Sequence, residues 1–241
     1  MPGSAVVRTG ARASALQSLL NRAGYSAAAT ALPPPRLVQL SATLRDEIDK
    51  LYRALGGTQP APRLQPGPWD LTFDDGLVVE LDEELHFNRY RKATLDTTWT
   101  VKLPWQTEYL KYSEREAACL AAARWGKRWT NPSCEQLFGS ADEPGTFDSG
   151  GAPRWKQRAL YDAIKDAAAL CATDWRLTRL ATVDIVNGVR LGAALGGRDA
   201  IDLDALREFV ANRSTTWVSS RLVGGDDGTR THDPLLAKQV L

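Results

Sequence analysis

Asp70, Glu80, Asp82 and His86 sit close together in the stretch Trp69 to Arg91, WDLTFDDGLVVELDEELHFNRYR. Three carboxylates gathered at a sheet edge are what a hard divalent cation needs, and Mg²⁺-dependent cleavage of a phosphodiester needs such a cation. The residues around them form two β-prone runs separated by the turn signal Asp74-Asp75-Gly76. A three-residue loop with Gly76 left-handed pairs Phe73 with Leu77, Thr72 with Val78, Leu71 with Val79 and Asp70 with Glu80. Strand side chains alternate, so one face carries Trp69, Leu71, Phe73, Leu77, Val79 and Leu81. Asp70, Thr72, Val78, Glu80 and Asp82 share the other. A two-residue loop would split both sets, which burial opposes. The simpler alternative is a half-buried hairpin whose acids only face water.

Three further elements could position this hairpin. Leu37 to Leu55 repeats leucine or isoleucine at helical steps and stops at Gly56-Gly57. Glu47 on its polar side could reach the hairpin or simply be solvated. Arg154 to Cys171 is a second helix with a stripe from Trp155 to Cys171. Trp175 to Val186 reads as a strand, with Gly188 allowing a turn into Val189 to Leu195. Leu203 to Val210 is a short helix with Asp202 as N-cap. Between these, Thr97 to Leu103 reads as a short strand. Ser113 to Lys127 reads as a helix, with Ser113 as N-cap and Glu116 completing a capping box. Thr130 to Pro153, rich in Gly, Pro, Ser and Asp, reads as one long loop. The order is that of an α/β (α+β) domain with a mixed sheet.

The 241 residues carry a net charge of +1, so nucleic-acid binding would have to come from a local basic patch. The three cysteines, Cys119, Cys134 and Cys171, lack metal-type spacing and suggest a reducing, cytoplasmic setting without disulfides. No apolar run is long enough to span a membrane. Residues 1–35 contain no acid and are rich in Ala, Arg and Ser, a composition shared with targeting peptides. An amphipathic helix over Ala13 to Ala23 is the alternative there. Residues 36–220 form the expected domain, with an insertion over about 92–153. Residues 221–241 form a tail, and Gly225 to Leu241 resembles read-through into a transfer-RNA gene, so His232 is left out of any site.

Glu80-Leu81-Asp82-Glu83-Glu84-Leu85-His86 resembles the E-x-D-G-x-x-H strand end of nucleases related to the very-short-patch-repair endonuclease, within the PD-(D/E)XK superfamily. Asp70 matches that family's metal-binding aspartate. Arg89, Arg91 and Leu95 fall in its arginine-bearing stretch. Glu83 stands where the family has glycine, and Asp82 stands where the superfamily usually has lysine. The resemblance implies a restriction-endonuclease-like mixed sheet flanked by helices, in the order helix, three-stranded meander, helix, strand. It implies a DNA endonuclease in which Asp70, Glu80 and Asp82 hold Mg²⁺ or Mn²⁺, with the Leu81 carbonyl a further ligand. Asp82 would complete the metal shell or orient His86, and His86 would be general base or hold the attacking water. Lys165 would stabilise the transition state, the alternative being one more exposed lysine on an amphipathic helix. Arg89, Arg91 and Arg154 would position phosphates. Two other readings stay open: an inactive nucleic-acid-binding or interaction module on the same fold, and a structural protein.

Overall fold

The structure is a computed structural model, and it describes residues 10–123 and 128–216. The expected end of the Ser113 to Lys127 helix and the tail from residue 221 lie outside the described residues. The protein is a mixed α/β fold built on a small mixed sheet. Strands β1 (Leu71–Thr72), β2 (Leu77–Asp82) and β3 (Arg176–Ala181) stand in that order. β1 runs antiparallel to β2 with Leu71 opposite Val79 and Thr72 opposite Val78. Gly76 has φ +73° and Phe73 N donates to Leu77 O, so the turn and register are those expected from the alternation. β3 runs parallel to β2, with Glu80 opposite Arg179 and Asp82 opposite Ala181. Single pairings of Ala27 with Phe73 and of Ser214 with Thr178 cover the two sheet edges.

Both faces of the sheet are covered by helices. Helix α1 (Ala11–Arg22) and helix α9 (Leu203–Asn212) pack on one face, where Leu16, Leu20, Leu206 and Val210 meet Leu71, Phe73, Val79, Leu81 and Leu180. The other face carries Val78, Leu177 and Ala181 against helix α2 (Ala42–Ala54) and helix α7 (Pro153–Cys171). The inner part of the hairpin's polar face is therefore not wetted: Glu80 and Asp82 lie buried beneath α7, while Asp70 stays exposed. Trp69 departs from the expected face. It precedes the first paired residue of β1, so strand alternation does not bind it, and it packs beside Trp175 on the α7 side.

Several local expectations are corrected. Leu37 to Leu55 is two pieces, a 3₁₀ turn (Leu37–Gln39) and then α2, because the Ser41 hydroxyl accepts from Leu44 N and restarts the helix. Thr97 to Leu103 holds a 3₁₀ turn (Thr100–Lys102) in place of a strand. The Thr100 hydroxyl bonds back to the carbonyls of Leu95 and Thr97 and closes it. Helix α3 (Arg89–Leu95), capped by Asn88, follows β2 where the meander's third strand was expected. Ser113 ends up buried inside helix α4 (Gln106–Glu114), and a separate helix α5 (Ala117–Ala123) follows. Glu116 makes no capping box because Arg89 binds its carboxylate. The loop expected over Thr130 to Pro153 contains helix α6 (Pro132–Phe138), started by the Asn131 cap and Pro132. Residues 92–153 supply Leu95, Trp99, Leu103, Trp105, Tyr109, Leu137 and Phe138 to the main core. The strand expected through Val186 ends at Ala181, whose N–H is taken by the Asp184 carboxylate. A hairpin of β4 (Ile185–Val186) and β5 (Val189–Arg190) and helix α8 (Leu191–Leu195) complete the chain before α9.

The tight hairpin turn makes a prediction about stability. A Cβ at Gly76 would stand 2.8 Å from the Asp174 carbonyl oxygen, in a left-handed backbone. Gly76→Ala should cost about 1–3 kcal/mol. Urea unfolding followed by tryptophan fluorescence measures this, and an unchanged midpoint would contradict the rigid turn.

Candidate functional site

The site forms where the polar half of the sheet meets one stripe of α7. Parallel pairing of β2 with β3 turns Glu80, Asp82 and Arg179 toward the helix. Helical spacing brings Asp162, Lys165 and Asp166 down onto them. A cleft of about 720 Å³ opens above, lined by Asp70, Glu80, His86, Arg158 and Lys165 among others.

Asp70 is the most exposed of Asp70, Glu80 and Asp82, and it lines the cleft. Its Oδ2 accepts from Leu81 N at 2.9 Å, and its own N–H donates to Glu80 Oε1 at 3.2 Å. The crowding cleft walls raise its pKa, and the Leu81 N–H opposes that rise. Glu80 lies beneath it, 4% exposed, with both oxygens 2.8 Å from Lys165 Nζ. Burial pushes the Glu80 carboxyl up to about 7, against the pull of that ammonium. Lys165 is buried, so it is not a surface lysine; it also donates to the Pro68 carbonyl and lies 5.1 Å from the Trp69 ring centre. Asp70, Glu80 and Lys165 thus converge on one cleft.

Asp82 belongs to a different layer. Arg179 Nη1 binds both its oxygens, at 2.9 and 3.1 Å, and His86 Nδ1 lies 3.0 Å from Oδ1. The same Nδ1 lies 2.9 Å from Asp162 Oδ2. Arg179 Nε reaches Asp166 at 2.6 Å, and Arg91 reaches the other oxygen of Asp166 at 2.8 Å. Burial by itself would lower the His86 pKa. The two flanking aspartates overcome it and raise the pKa to about 9, so the ring is an imidazolium at neutral pH. Burial disfavours the charged carboxylates, but Arg179 on Asp82 and His86 on Asp162 hold both below the usual range.

Asp82, His86 and Asp162 offer ligand atoms within 4.8 Å of one another, and such a group could hold a metal ion. The charges compete with that use. With His86 protonated, the acids Glu80, Asp82, Asp162 and Asp166 are matched by Lys165, Arg179, Arg91 and His86. A cation in the triad would displace a proton and add charge beside Arg179. Asp70 is the acid left outside this balance: its direct partner is a backbone N–H.

The oxygen groups around Asp70 are of the kind that a hard cation takes. Asp70 Oδ1 has no partner among the described residues. The C=O of a strand residue points the same way as its N–H, so the Leu81 carbonyl faces the Asp70 edge. With Glu80 these supply the all-oxygen donors that Mg²⁺ or Mn²⁺ prefers.

Of the expected phosphate contacts, Arg154 lines the cleft. Arg89 lies outside it, bound to Glu116 and stacked 3.5 Å over Phe147, and Arg91 is buried on Asp166. Asp162, Asp166, Arg179 and Arg158 were not foreseen. Their signal was available: Asp162 and Asp166 fall in phase with Ala159 and Ala163 on the apolar side of α7, and Arg179 interrupts the apolar strand LTRLA. Charges in such positions announce a buried ion network.

The network predicts a sign for pH dependence, measured in chelator. His86 has a folded pKa of about 9, above its ordinary 6.5, so its contribution is full below 6.5 and is lost as pH rises through 9. Glu80 acts in the same sense lower down, from 4.5 to about 7. Urea midpoints should fall between about pH 6 and pH 9.5, and His86→Gln should flatten the upper part of that fall. A midpoint that rises over this range would refute the imidazolium assignment.

All three cysteines are free, and among the described residues no helix is long and apolar enough to cross a membrane. No curated protein and no solved structure matches the chain. Residues 50–196, which include Asp70, Glu80, His86, Lys165 and Arg179, match the model of a family of unknown function, DUF7255. That match spans more than half of the 241 residues, and the chain belongs to the DUF7255 family.

Proposed function

We propose that the protein is a metal-dependent nuclease that hydrolyses phosphodiester bonds in DNA, on a restriction-endonuclease-like arrangement of sheet and helices. One observation carries this reading: Lys165 of α7 reaches across to both oxygens of Glu80, directly beneath Asp70, at the floor of an open cleft. A carboxylate pair with an ammonium beside it is the donor set that phosphoryl chemistry uses, because catalysis there is positioning and charge stabilisation. The hairpin, the covering helix and the parallel strand β3 follow the order implied by the nuclease resemblance, although the third meander strand is absent among the described residues.

Asp70, Glu80 and the Leu81 carbonyl would hold Mg²⁺ or Mn²⁺. When bound, the ion supplies positive charge to the phosphate and lowers the pKa of a coordinated water. Lys165 neutralises charge that builds on the phosphate oxygens, and Glu80 fixes its position. His86 is cationic and clamped through Nδ1, so the general-base role expected for it does not suit it. Its Nε2, without a partner among the described residues, serves as a donor toward the cleft. Asp82 positions His86 and Arg179 and stays out of the metal shell.

The locking of Asp82 by Arg179 leaves only Asp70 and Glu80 of the three expected metal-holding carboxylates, and this favours a second reading as a non-catalytic nucleic-acid-binding module. Mn²⁺- or Mg²⁺-dependent cleavage of plasmid and single-stranded DNA separates the two. The nuclease reading expects cleavage by the parent and loss in Asp70→Ala and Glu80→Ala. A folded parent that binds DNA and never cuts it favours the module.

A further inference from the structure

The arginines near the site fall into two groups. Arg12 pairs with Glu83 and Glu84, Arg89 with Glu116, Arg91 with Asp166, and Arg179 with three aspartates. Arg128, Arg154 and Arg158 differ. All three line the cleft, and the side-chain hydrogen bonds of each go to neutral acceptors: the carbonyl of Ala122, the Gln157 amide and the carbonyl of Leu85. No carboxylate lies within ion-pair distance of any of them among the described residues. Arg158 is half-buried, and burial together with neighbouring Arg154 disfavours its charge. Guanidinium groups that line a cleft and make no ion pair of their own are placed for an anion from outside the chain.

Their positions along α7 give the anion a shape. Arg154, Arg158 and Lys165 follow one another on the cleft side of the helix. At a rise of ~1.5 Å per residue, Arg154 and Arg158 stand about 6 Å apart along the axis, and Lys165 about 10 Å further on. The shorter interval is comparable with the separation of neighbouring phosphates along an extended nucleic-acid strand, and the longer one with one to two such steps. A single phosphate at the carboxylates would leave the arginines unused. The cleft volume of about 720 Å³ is within the ~300–1,000 Å³ of sites that enclose small ligands, a scale that suits a few nucleotides of one strand.

We infer that Arg154 and Arg158, with Arg128 at the rim, form a phosphate subsite that holds a single nucleic-acid strand one or two nucleotides away from the bond over Asp70, Glu80 and Lys165. This inference rests on the reading of the cleft as a phosphodiester site and adds the substrate class, a single strand with flanking phosphates.

The test is equilibrium binding in metal-free buffer, where no cleavage interferes. Fluorescence anisotropy of a labelled single-stranded decanucleotide is followed against salt for the parent, Arg154→Gln, Arg158→Gln, Arg158→Lys and the double glutamine variant. Each glutamine should weaken binding about tenfold and lower the salt slope by roughly 0.7 for each phosphate that is no longer neutralised. Arg158→Lys should keep the slope, and it also covers the case in which Arg158→Gln does not fold. The same sequence as a duplex should bind more weakly. Unchanged affinity and slope in a folded double variant would overturn the subsite, and tighter duplex binding would overturn the single-strand assignment. Arginine-dependent binding without any metal-dependent cleavage leaves the subsite standing and removes the catalytic reading; cleavage with no arginine dependence does the reverse.

Discussion

Replacing Arg179 by methionine is expected to lower the free energy of unfolding by about 3–5 kcal/mol, a large share of the ~5–15 kcal/mol available to a typical domain. The side chain is fully buried and is the shared partner of Asp82, Asp162 and Asp166. Taking it away leaves three carboxylates out of water, with only His86 and Arg91 to balance them. The loss is therefore dominated by the charges left behind, and methionine's own packing restores little. Adding Asp166→Leu should return part of the stability, because it removes an acid that has lost a partner; the two changes are in contact and should not add. Urea unfolding of the parent, both single variants and the pair measures the coupling. A loss below about 1 kcal/mol for Arg179→Met would mean that water reaches the network and that the buried arrangement is wrong.

Lys165→Met is expected to reduce metal-dependent cleavage by about 10²–10³-fold, the scale on which a single group aimed at developing charge contributes. Binding of the ion should behave differently. Lys165 Nζ holds both oxygens of Glu80, so it competes with any cation for them. Its removal should leave Mn²⁺ affinity unchanged or improve it while turnover collapses. Calorimetric titration of Mn²⁺ beside single-turnover cleavage reads the two separately. A parallel loss of metal binding and of cleavage would show that the lysine merely holds Glu80 in place. Unaltered cleavage would remove it from the mechanism altogether.

How much of this was legible beforehand differs from element to element, for physical reasons. The hairpin could be read residue by residue because two constraints coincide there: a left-handed Gly76 and a period of two that only one register satisfies. Helix α7 and the Asp202 cap of α9 were equally plain, since both are written in local spacing. What local spacing does not carry is what covers an element. Whether Glu80 and Asp82 face water or α7 depends on a parallel pairing with β3, which joins residues far apart in the chain. The capping-box pattern at Ser113 failed for a related reason: Glu116 is spent on Arg89, which is remote in sequence. The Asn131-Pro132 start of α6 was, by contrast, legible from its cap chemistry and was hidden by the polar composition around it.

The placement of α7 has a consequence for motion. One stripe of this helix carries Asp162, Lys165 and Asp166, and its other residues, from Leu160 through Ala163, Ile164 and Ala167, lie in the main core. The amide hydrogens of that turn can then exchange with solvent only when the whole domain opens, so their protection should equal the global unfolding free energy. The opposite lip of the cleft is built from Gly10 to Ala13 and the short 3₁₀ turn Glu84–His86, joined by the exposed pair of Arg12 with Glu83 and Glu84. Its amides should exchange through small local openings that salt promotes. A ligand entering the cleft would thus slow exchange on one lip and leave the other, already at the limit set by global stability, to shift only as much as the protein as a whole is stabilised.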